Sequence, residues 1–359
     1  MKILSVVGAR PQFVKLAPID HALAGAGAEH IIIHTGQHYD AKMSDVFFSG
    51  LRISAPDVDL AVGSGTHGRQ TGAMLAGMDE CLERFTPDVV LVYGDTNSTV
   101  AGALSAVKMH VPVAHLEAGL RSFNRRMPEE HNRVITDHAA DLCLAPTQVA
   151  MNHLAAEGLS DRSVLVGDVM TDVFLTTLAE ASSMAALPAT ATAGDFYLST
   201  IHRAENTDDP ARLRAIIEAL SRLPHPVLLT AHPRLVATCA EFGIDLHQGA
   251  IEPVEPLDYQ TLVATLCKAS GVVTDSGGLQ KEAFLARTPC TTVRTETEWV
   301  ETVELGWNAL ATQPSMIDAL VTRDAPTETD ATPYGDGHAA ERVVDALANF
   351  CGSTSSARS

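Results

Sequence analysis

Residues 89–117 read VVLVYGDTNSTVAGALSAVKMHVPVAHLE. The stretch opens on an apolar run, Val89–Tyr93, and crosses a polar turn at Gly94-Asp95. It then enters an Ala-rich helical pattern over Ser98–Met109 and returns to a second apolar run, Val111–His115. Strand, helix, strand with short joints predicts two parallel strands in one sheet. The same alternation continues on either side. Strands are predicted at Ile3–Val7, His30–His34, Leu142–Ala145 and Val164–Val166. Helices are predicted at Pro11–Leu23, Gly68–Arg84, Glu130–His138 and Thr147–Glu157. Pro11 suits a first helical turn, where its missing N–H costs nothing.

The second half repeats the scheme. Strands are predicted at Phe196–Thr200, Val227–Thr230, Gly271–Thr274 and Cys290–Val293. Helices are predicted at Pro210–Leu223, Pro233–Phe242, Pro256–Lys268 and Leu279–Ala286. Between the halves lies Ala181–Asp195, an Ala/Thr/Ser-rich stretch without amphipathic period, which reads as a linker. The expected fold class is therefore α/β, with two Rossmann-like domains and a cleft between them. The domains are placed at residues 1–181 and 196–338. A last helix over 339–351 can pack back on the first domain, and the tail Gly352–Ser359 is expected to be disordered.

Parallel sheets place ligands at the C-terminal ends of their strands, and the polar residues of this chain gather there. After Val111–Ala114 comes 115–133, HLEAGLRSFNRRMPEEHNR, with Glu117, Glu129, Glu130, Arg121, Arg125, Arg126 and Arg133 in one Gly-broken segment. Mixed charges at a strand end point to an anionic substrate and acid–base chemistry. A solvated loop with ion pairs is the ordinary alternative. Gly8-Ala-Arg-Pro-Gln-Phe-Val-Lys15 puts Arg10 at a helix start, where an anion is favoured, with Lys15 a turn further in. Asp95 follows the strand Val89–Val92 and is either an N-cap or a general base. Asp275-Ser-Gly-Gly278 opens a helix, so Ser276, Gly277 and Gly278 can offer backbone N–H groups to a phosphate. Glu282 lies one turn along, in reach of a sugar hydroxyl. His202 and Arg203, then His232, each follow a strand of the second half.

Composition narrows the partners. The chain has 359 residues, 46% apolar and 19% charged, enough for roughly two domains of ~150 residues. A net charge of −19 argues against nucleic acid and anionic membranes. Six scattered cysteines without CxxC spacing read as reduced thiols, and no leader or apolar run of ~20 residues is seen, so a cytoplasmic protein is expected. His34, His38 and Asp40 fit no zinc spacing, and no metal site is expected.

In order along essentially the whole chain stand GARPQFVK, TGQH, GDTNST, HLEAGLRS with MPEEHNR, IHRAEN, AHP and DSGGLQKEA. The set resembles the non-hydrolysing UDP-N-acetylglucosamine 2-epimerases. The resemblance implies a glycosyltransferase-B-like fold with UDP held by the second domain and an interdomain active-site cleft. It implies inversion of C2 through loss of UDP to a glycal and its re-addition, converting UDP-N-acetylglucosamine to UDP-N-acetylmannosamine without a cofactor. Carried over by position, Asp95, Glu117 and Glu129 are the catalytic carboxylates and His202 the active-site histidine. Arg10 and Lys15 match the substrate site, and Ser276, Gly277, Gly278 and Glu282 the UDP site; Arg203 and His232 stand as further substrate contacts. Gln37, His38, Arg69 and Gln70 resemble a site where bacterial members bind a second UDP-N-acetylglucosamine. The resemblance also implies a homodimer.

Two departures loosen the sugar's identity. Thr297-Glu298 is followed by Trp299-Val300 where many of these enzymes have Arg-Pro, and Leu262 stands where an aromatic residue is expected near uracil. The TEWVE form also occurs in a sibling group acting on UDP-2,3-diacetamido-2,3-dideoxyglucuronate, whose extra carboxylate Arg125 or Arg126 could meet. A hydrolysing epimerase, a UDP-sugar glycosyltransferase and a silent sugar-nucleotide-binding regulator are the remaining alternatives.

Overall fold

The computed structural model describes residues 1–37, 53–181, 187–324 and 326–358. The chain forms two compact units, Met1–Val173 with Thr332–Ser359, and Phe174–Ala331. The first holds a seven-stranded sheet of order β3-β2-β1-β4-β5-β6-β7, parallel throughout. Its strands are β1 (Lys2–Val7), β2 (Glu29–His34), β3 (Val58–Asp59), β4 (Val89–Tyr93), β5 (Val113–Leu116), β6 (Leu142–Ala145) and β7 (Ser163–Leu165). The second holds a six-stranded parallel sheet of order β10-β9-β8-β11-β12-β13. These strands are β8 (Tyr197–Thr200), β9 (Val227–Thr230), β10 (Ile251–Val254), β11 (Gly271–Thr274), β12 (Cys290–Thr292) and β13 (Asn308–Leu310).

Continuous burial explains the central strands. Every residue of β4, β5, β6, β9 and β11 is buried, as expected where helices cover both faces of a parallel sheet. The first core joins Ile3, Leu16, Leu23 and Leu91 to Val343 and Leu347 of the C-terminal helix Ala339–Arg358. That helix runs past the expected end at Cys351, so the stretch from Gly352 to Arg358 is helical rather than a disordered tail.

The boundary between units also moves. Helix Val169–Ala181 was not expected from the sequence, and Phe174 within it is fully buried in the second core, with Phe196 and Leu228. The division therefore falls at Val173, before the linker-like stretch. Within that stretch, Thr190–Ala193 forms a short helix with Ala191 buried.

A buried polar chain ties the first sheet together. Asp20 Oδ1 lies 2.7 Å from His30 Nδ1, His30 Nε2 lies 2.8 Å from Ser5 Oγ, and Ser5 Oγ lies 2.8 Å from the Tyr93 hydroxyl. Burial pushes the Asp20 pKa up. The His30 hydrogen bond and the Ser54 N–H outweigh it and draw the carboxyl down from 3.8 to about 2. A carboxylate depressed in the fold stabilises above its unfolded pKa and loses that contribution as pH falls through its folded one. Asp20→Asn is thus expected to be less stable than wild type at pH 6, with the difference shrinking between pH 4 and pH 2. Urea midpoints measured across that range check it.

Candidate functional site

In each sheet the chain order reverses once, between β1 and β4 and between β8 and β11. Such switch points open a crevice at the strands' carboxyl ends. Arg10, Lys15 and Asp95 follow the two strands of the first switch point, and His202, Arg203, Ser276, Gly277 and Gly278 follow those of the second.

In the first unit, Gln12 ties the two switch-point loops. Its Oε1 accepts from the N–H groups of Gly8 and Ala9 at 2.8 and 3.1 Å, and its Nε2 donates to the Tyr93 carbonyl at 2.8 Å. Tyr93 is paired with Leu116 in the β4–β5 register, so Asp95 and Glu117 leave neighbouring strand ends. Glu117 has a left-handed backbone, φ 72°, and forms an ion pair with Lys15; both side chains are largely buried. Left-handed geometry in a non-glycine residue is costly and concentrates at functional sites. Burial lowers the Lys15 pKa, but the charge and hydrogen bond of Glu117, with Asp95 and Asp168 beyond, raise it above the ordinary lysine value. Gly94, φ 61°, lets these groups in: a Cβ there would lie 3.1 Å from Glu117 Oε2 and 3.5 Å from Lys15 Nζ.

Helix Pro128–Ala139 braces Asp95 from one face. Arg133 Nη2 meets Asp95 Oδ2 at 2.5 Å, and Asn132 Nδ2 donates to the Asp95 carbonyl at 2.9 Å. Glu129, in the first turn, is half-buried and makes no ion pair among the described residues. Its neighbour Glu130 has a different task. It is buried and accepts from Ser122 N, Ser122 Oγ, Phe123 N and Arg133 Nη1 at 2.9–3.0 Å, pinning the loop that bears Arg125 and Arg126. Burial pushes its pKa up, and the Ser122, Phe123 and Arg133 donors bring it below the usual value. Arg125 and Arg126 are exposed, and their guanidinium groups make no ion pair among the described residues.

Beneath these groups, His115 and Asp137 are fully enclosed. His115 Nδ1 lies 2.6 Å from Asp137 Oδ1, and His115 Nε2 lies 2.7 Å from the Gly94 carbonyl oxygen. Asp137 Oδ2 meets Arg121 Nη1 at 2.7 Å and accepts from Gly119 N at 3.1 Å. Burial pushes the Asp137 pKa up, but His115 and Arg121 hold it below the ordinary value. Neither His115 nor Asp137 was singled out in the sequence, nor were Gln12 and Asn132. The available signal was the i, i+4, i+8 spacing of Glu129, Arg133 and Asp137, which places them on one helix face.

Of the residues resembling a second nucleotide-sugar site, Gln37 and Gln70 come together. Gln70 donates to the Gln37 carbonyl at 3.1 Å, and Gln37 Oε1 accepts from Ser98 N at 3.0 Å at the start of helix Asn97–Lys108. Arg69 is exposed, and His38 lies outside the described residues. Arg10 starts helix Arg10–Gly25, as the sequence predicted.

In the second unit, Thr274 pairs with Thr200, so the Asp275 and His202 loops run side by side. Asp275 is fully buried and accepts from the N–H groups of His202 and Arg203 at 3.1 and 3.0 Å and from Asn206 Nδ2 at 2.9 Å. His202 Nδ1 lies 3.1 Å from Asp275 Oδ1, which leaves Nε2 as the ring's outward nitrogen. Burial pushes the Asp275 pKa up, while His202, Asn206 and the Arg203 N–H hold it below 3.8. Ser276 caps helix Gly277–Leu285, and Gly277 and Gly278 form its first turn. A Cβ on Gly277 would fall 2.6 Å from Glu298 Oε1, whereas one on Gly278 would meet nothing within 4 Å. Glu298 is held by the buried Arg294 at 2.9 Å. Glu282 is buried and accepts from the Tyr259 hydroxyl at 3.0 Å. His232 is exposed and caps helix Pro233–Phe242, accepting from Arg234 N at 3.2 Å. Among the described residues no group of three His, Cys, Asp or Glu side chains is placed to hold a metal ion, and no helix is long and apolar enough to cross a membrane.

Two parallel α/β units, each with polar groups massed at its switch point, define a glycosyltransferase-B-like protein of the nucleotide-sugar class. The sequence profile of the UDP-N-acetylglucosamine 2-epimerases matches residues 21–348, and the chain belongs to that family. It is 45% identical over 360 aligned positions to the UDP-2,3-diacetamido-2,3-dideoxy-D-glucuronate 2-epimerase of Pseudomonas aeruginosa, covering 98% of this chain and 100% of that one. It is 39% identical to the UDP-N-acetylglucosamine 2-epimerase of Methanocaldococcus jannaschii, covering 97% and 99%. The crystal structure of a Methanocaldococcus jannaschii UDP-GlcNAc 2-epimerase in complex with UDP-GlcNAc and UDP superposes with a TM-score of 0.86 at 38% identity, over 97% of this chain and 100% of that one. The Neisseria meningitidis enzyme bound to UDP-GlcNAc gives 0.85 at 27% identity, over 97% and 100%. The activity class is epimerisation of a UDP-sugar at C2.

Proposed function

We propose that the chain inverts C2 of a UDP-2-acetamido sugar without net hydrolysis, and that its sugar is a 2,3-diacetamido-uronate. One carboxylate takes the C2 proton, and the C1–O bond breaks with its electron pair leaving on UDP, which gives a C1=C2 glycal. UDP then re-adds through its β-phosphate oxygen while an acid protonates C2 from the other face. The observation that carries this reading is the Asp95–Glu117 pair on adjacent strand ends, each carboxylate held by its own cation, Arg133 and Lys15. Glu129 is the third carboxylate in the reading, and it has no cation of its own among the described residues. The Ser276–Gly278 turn supplies N–H groups for the diphosphate, with Arg203 and His202 as its other partners. Glu282 and His232 take the nucleoside side.

The sequence alone ranked UDP-N-acetylglucosamine first. The relative at 45% identity favours a sugar with an extra carboxylate, as do the exposed guanidinium groups of Arg125 and Arg126, which make no ion pair among the described residues. UDP-N-acetylglucosamine is the second reading, favoured by the 39% relative.

Incubation with each UDP-sugar in D₂O, followed by NMR, tests both. The expected result is deuterium at C2 with the C2-inverted UDP-uronate appearing. Exchange with UDP-N-acetylglucosamine alone assigns the second reading. Free sugar and UDP without an inverted UDP-sugar overturn re-addition, and no exchange with either sinks the acid–base assignment.

A further inference from the structure

We propose that His115, held by Asp137, is a positioning residue that sets the Gly94 peptide and thereby the spacing of Asp95 from Glu117. The inference rests on the epimerase reading of that site. Gly94 is fastened at both its polar atoms. Its N–H donates to the Leu116 carbonyl at 3.0 Å, and its carbonyl accepts from His115 Nε2 at 2.7 Å. Asp95 is the next residue, and Glu117 follows Leu116, so both fasteners come from β5, the strand that leads into Glu117.

The imidazole cannot turn. It is fully buried in β5, and Asp137 Oδ1 grips its other nitrogen at 2.6 Å. Asp137 also accepts from Gly119 N, two residues beyond Glu117, and pairs with Arg121. Arg121 continues outward to Glu157, with Nε and Nη2 each at 2.8 Å. One carboxylate thus fixes the turn carrying Glu117 directly and the turn carrying Asp95 through His115. Arg133, one helical turn before Asp137, holds Asp95 from the side. Proton transfer to and from opposite faces of one carbon is sensitive to such spacing: a misplacement of about 1 Å can cost ~10²-fold in rate.

The two imidazole nitrogens can be tested apart. A glutamine at 115 can keep the donor toward Gly94, whereas an asparagine keeps only the group nearer Asp137. With the UDP-sugar that wild type turns over, His115→Gln is expected to keep kcat within about tenfold. His115→Asn and His115→Ala are expected to lose ~10²-fold in kcat with KM changed by less than about threefold. Each rate is divided by the folded fraction from thermal unfolding. The ratio of C2 deuterium exchange to net inversion is expected to change in the Asn and Ala variants, because one face is uncoupled from the other.

A kcat loss that only follows the folded fraction overturns the proposal. So do equal rates for the Gln and Asn variants, or a rise in KM at constant kcat. An active wild type with such variants overturns this inference alone. A wild type that exchanges with no UDP-sugar overturns the functional reading, and this one with it.

Discussion

Asp95→Asn and Glu117→Gln are each expected to lower kcat by ~10²-fold or more, the loss typical of a missing general acid or base. The two substitutions differ in what they leave behind, and that difference makes the pair informative. Arg133 binds both Asp95 and Glu130. Removing the Asp95 charge leaves Arg133 with Glu130, so the fold should hold and the loss should be chemical. Lys15 depends on Glu117 for its ion pair, in a place where burial works against its charge. Glu117→Gln is therefore expected to lower the Lys15 pKa as well, and to cost some stability through a buried cation without its partner. Steady-state rates on the accepted UDP-sugar, set beside urea midpoints, separate the two effects. Asp95→Asn is expected to shift the midpoint little. Near-normal turnover in either variant would remove that residue from the reaction.

The strands that carry this pair were legible because their burial is continuous. β4, β9 and β11 match the apolar runs residue for residue, since a run of Val and Leu with no polar interruption has no other economical place than a sheet centre. Of the four edge strands, β7 was legible at Val164–Val166, whereas β3, β10 and β13 were not. β3 is two residues, Val58-Asp59, and β10 reads Ile-Glu-Pro-Val, with a charge and a proline that only an edge tolerates. Helix Val169–Ala181 escaped because its apolar residues are not confined to one stripe. It crosses between units, with Val169 in one core and Phe174 in the other.

The candidate site divides in the same way. Asp95, Glu117, His202 and Asp275 could be placed from strand ends alone, because a parallel sheet dictates where its loops gather. Their supports could not. Gln12 reaches Tyr93 across 81 positions, and Arg133 reaches Asp95 across 38. His115 read as the last residue of an apolar strand. Only the fold shows that Gly94 supplies one of its partners and helix Pro128–Ala139 the other. Glu129 and Glu130 are adjacent and chemically alike, yet Glu130 turns inward onto Ser122 and Phe123 while Glu129 does not. A one-residue step on a helix rotates the side chain by about 100°, which the letters EE do not display.

The largest stability effect is expected at Asp275. Its carboxylate accepts from two backbone N–H groups and from Asn206 Nδ2, and it grips His202 Nδ1, all from within the second core. Asp275→Ala would strand those donors, and losing one partner of such a buried network costs about 3–5 kcal/mol. His202 is partly exposed, so its share is small; the buried amides carry most of the cost. Asp275→Asn keeps the shape and one acceptor oxygen, so a smaller loss is expected. It still releases His202 Nδ1, and kcat should fall further than stability. The acid limb gives a second reading of the same group. Asp275 is held below its ordinary value of 3.8, so its contribution is complete above that pH and is lost as pH falls beneath it. Urea unfolding with a probe in the second unit should therefore show a gap between wild type and Asp275→Ala that is widest near neutrality and narrows at low pH. Two units can unfold separately, so the first unit's transition serves as the internal reference and is expected to stay where it is. A gap that does not narrow in acid, or an Asp275→Ala chain as stable as wild type, would mean that the two loops at this switch point are held together by something other than this carboxylate.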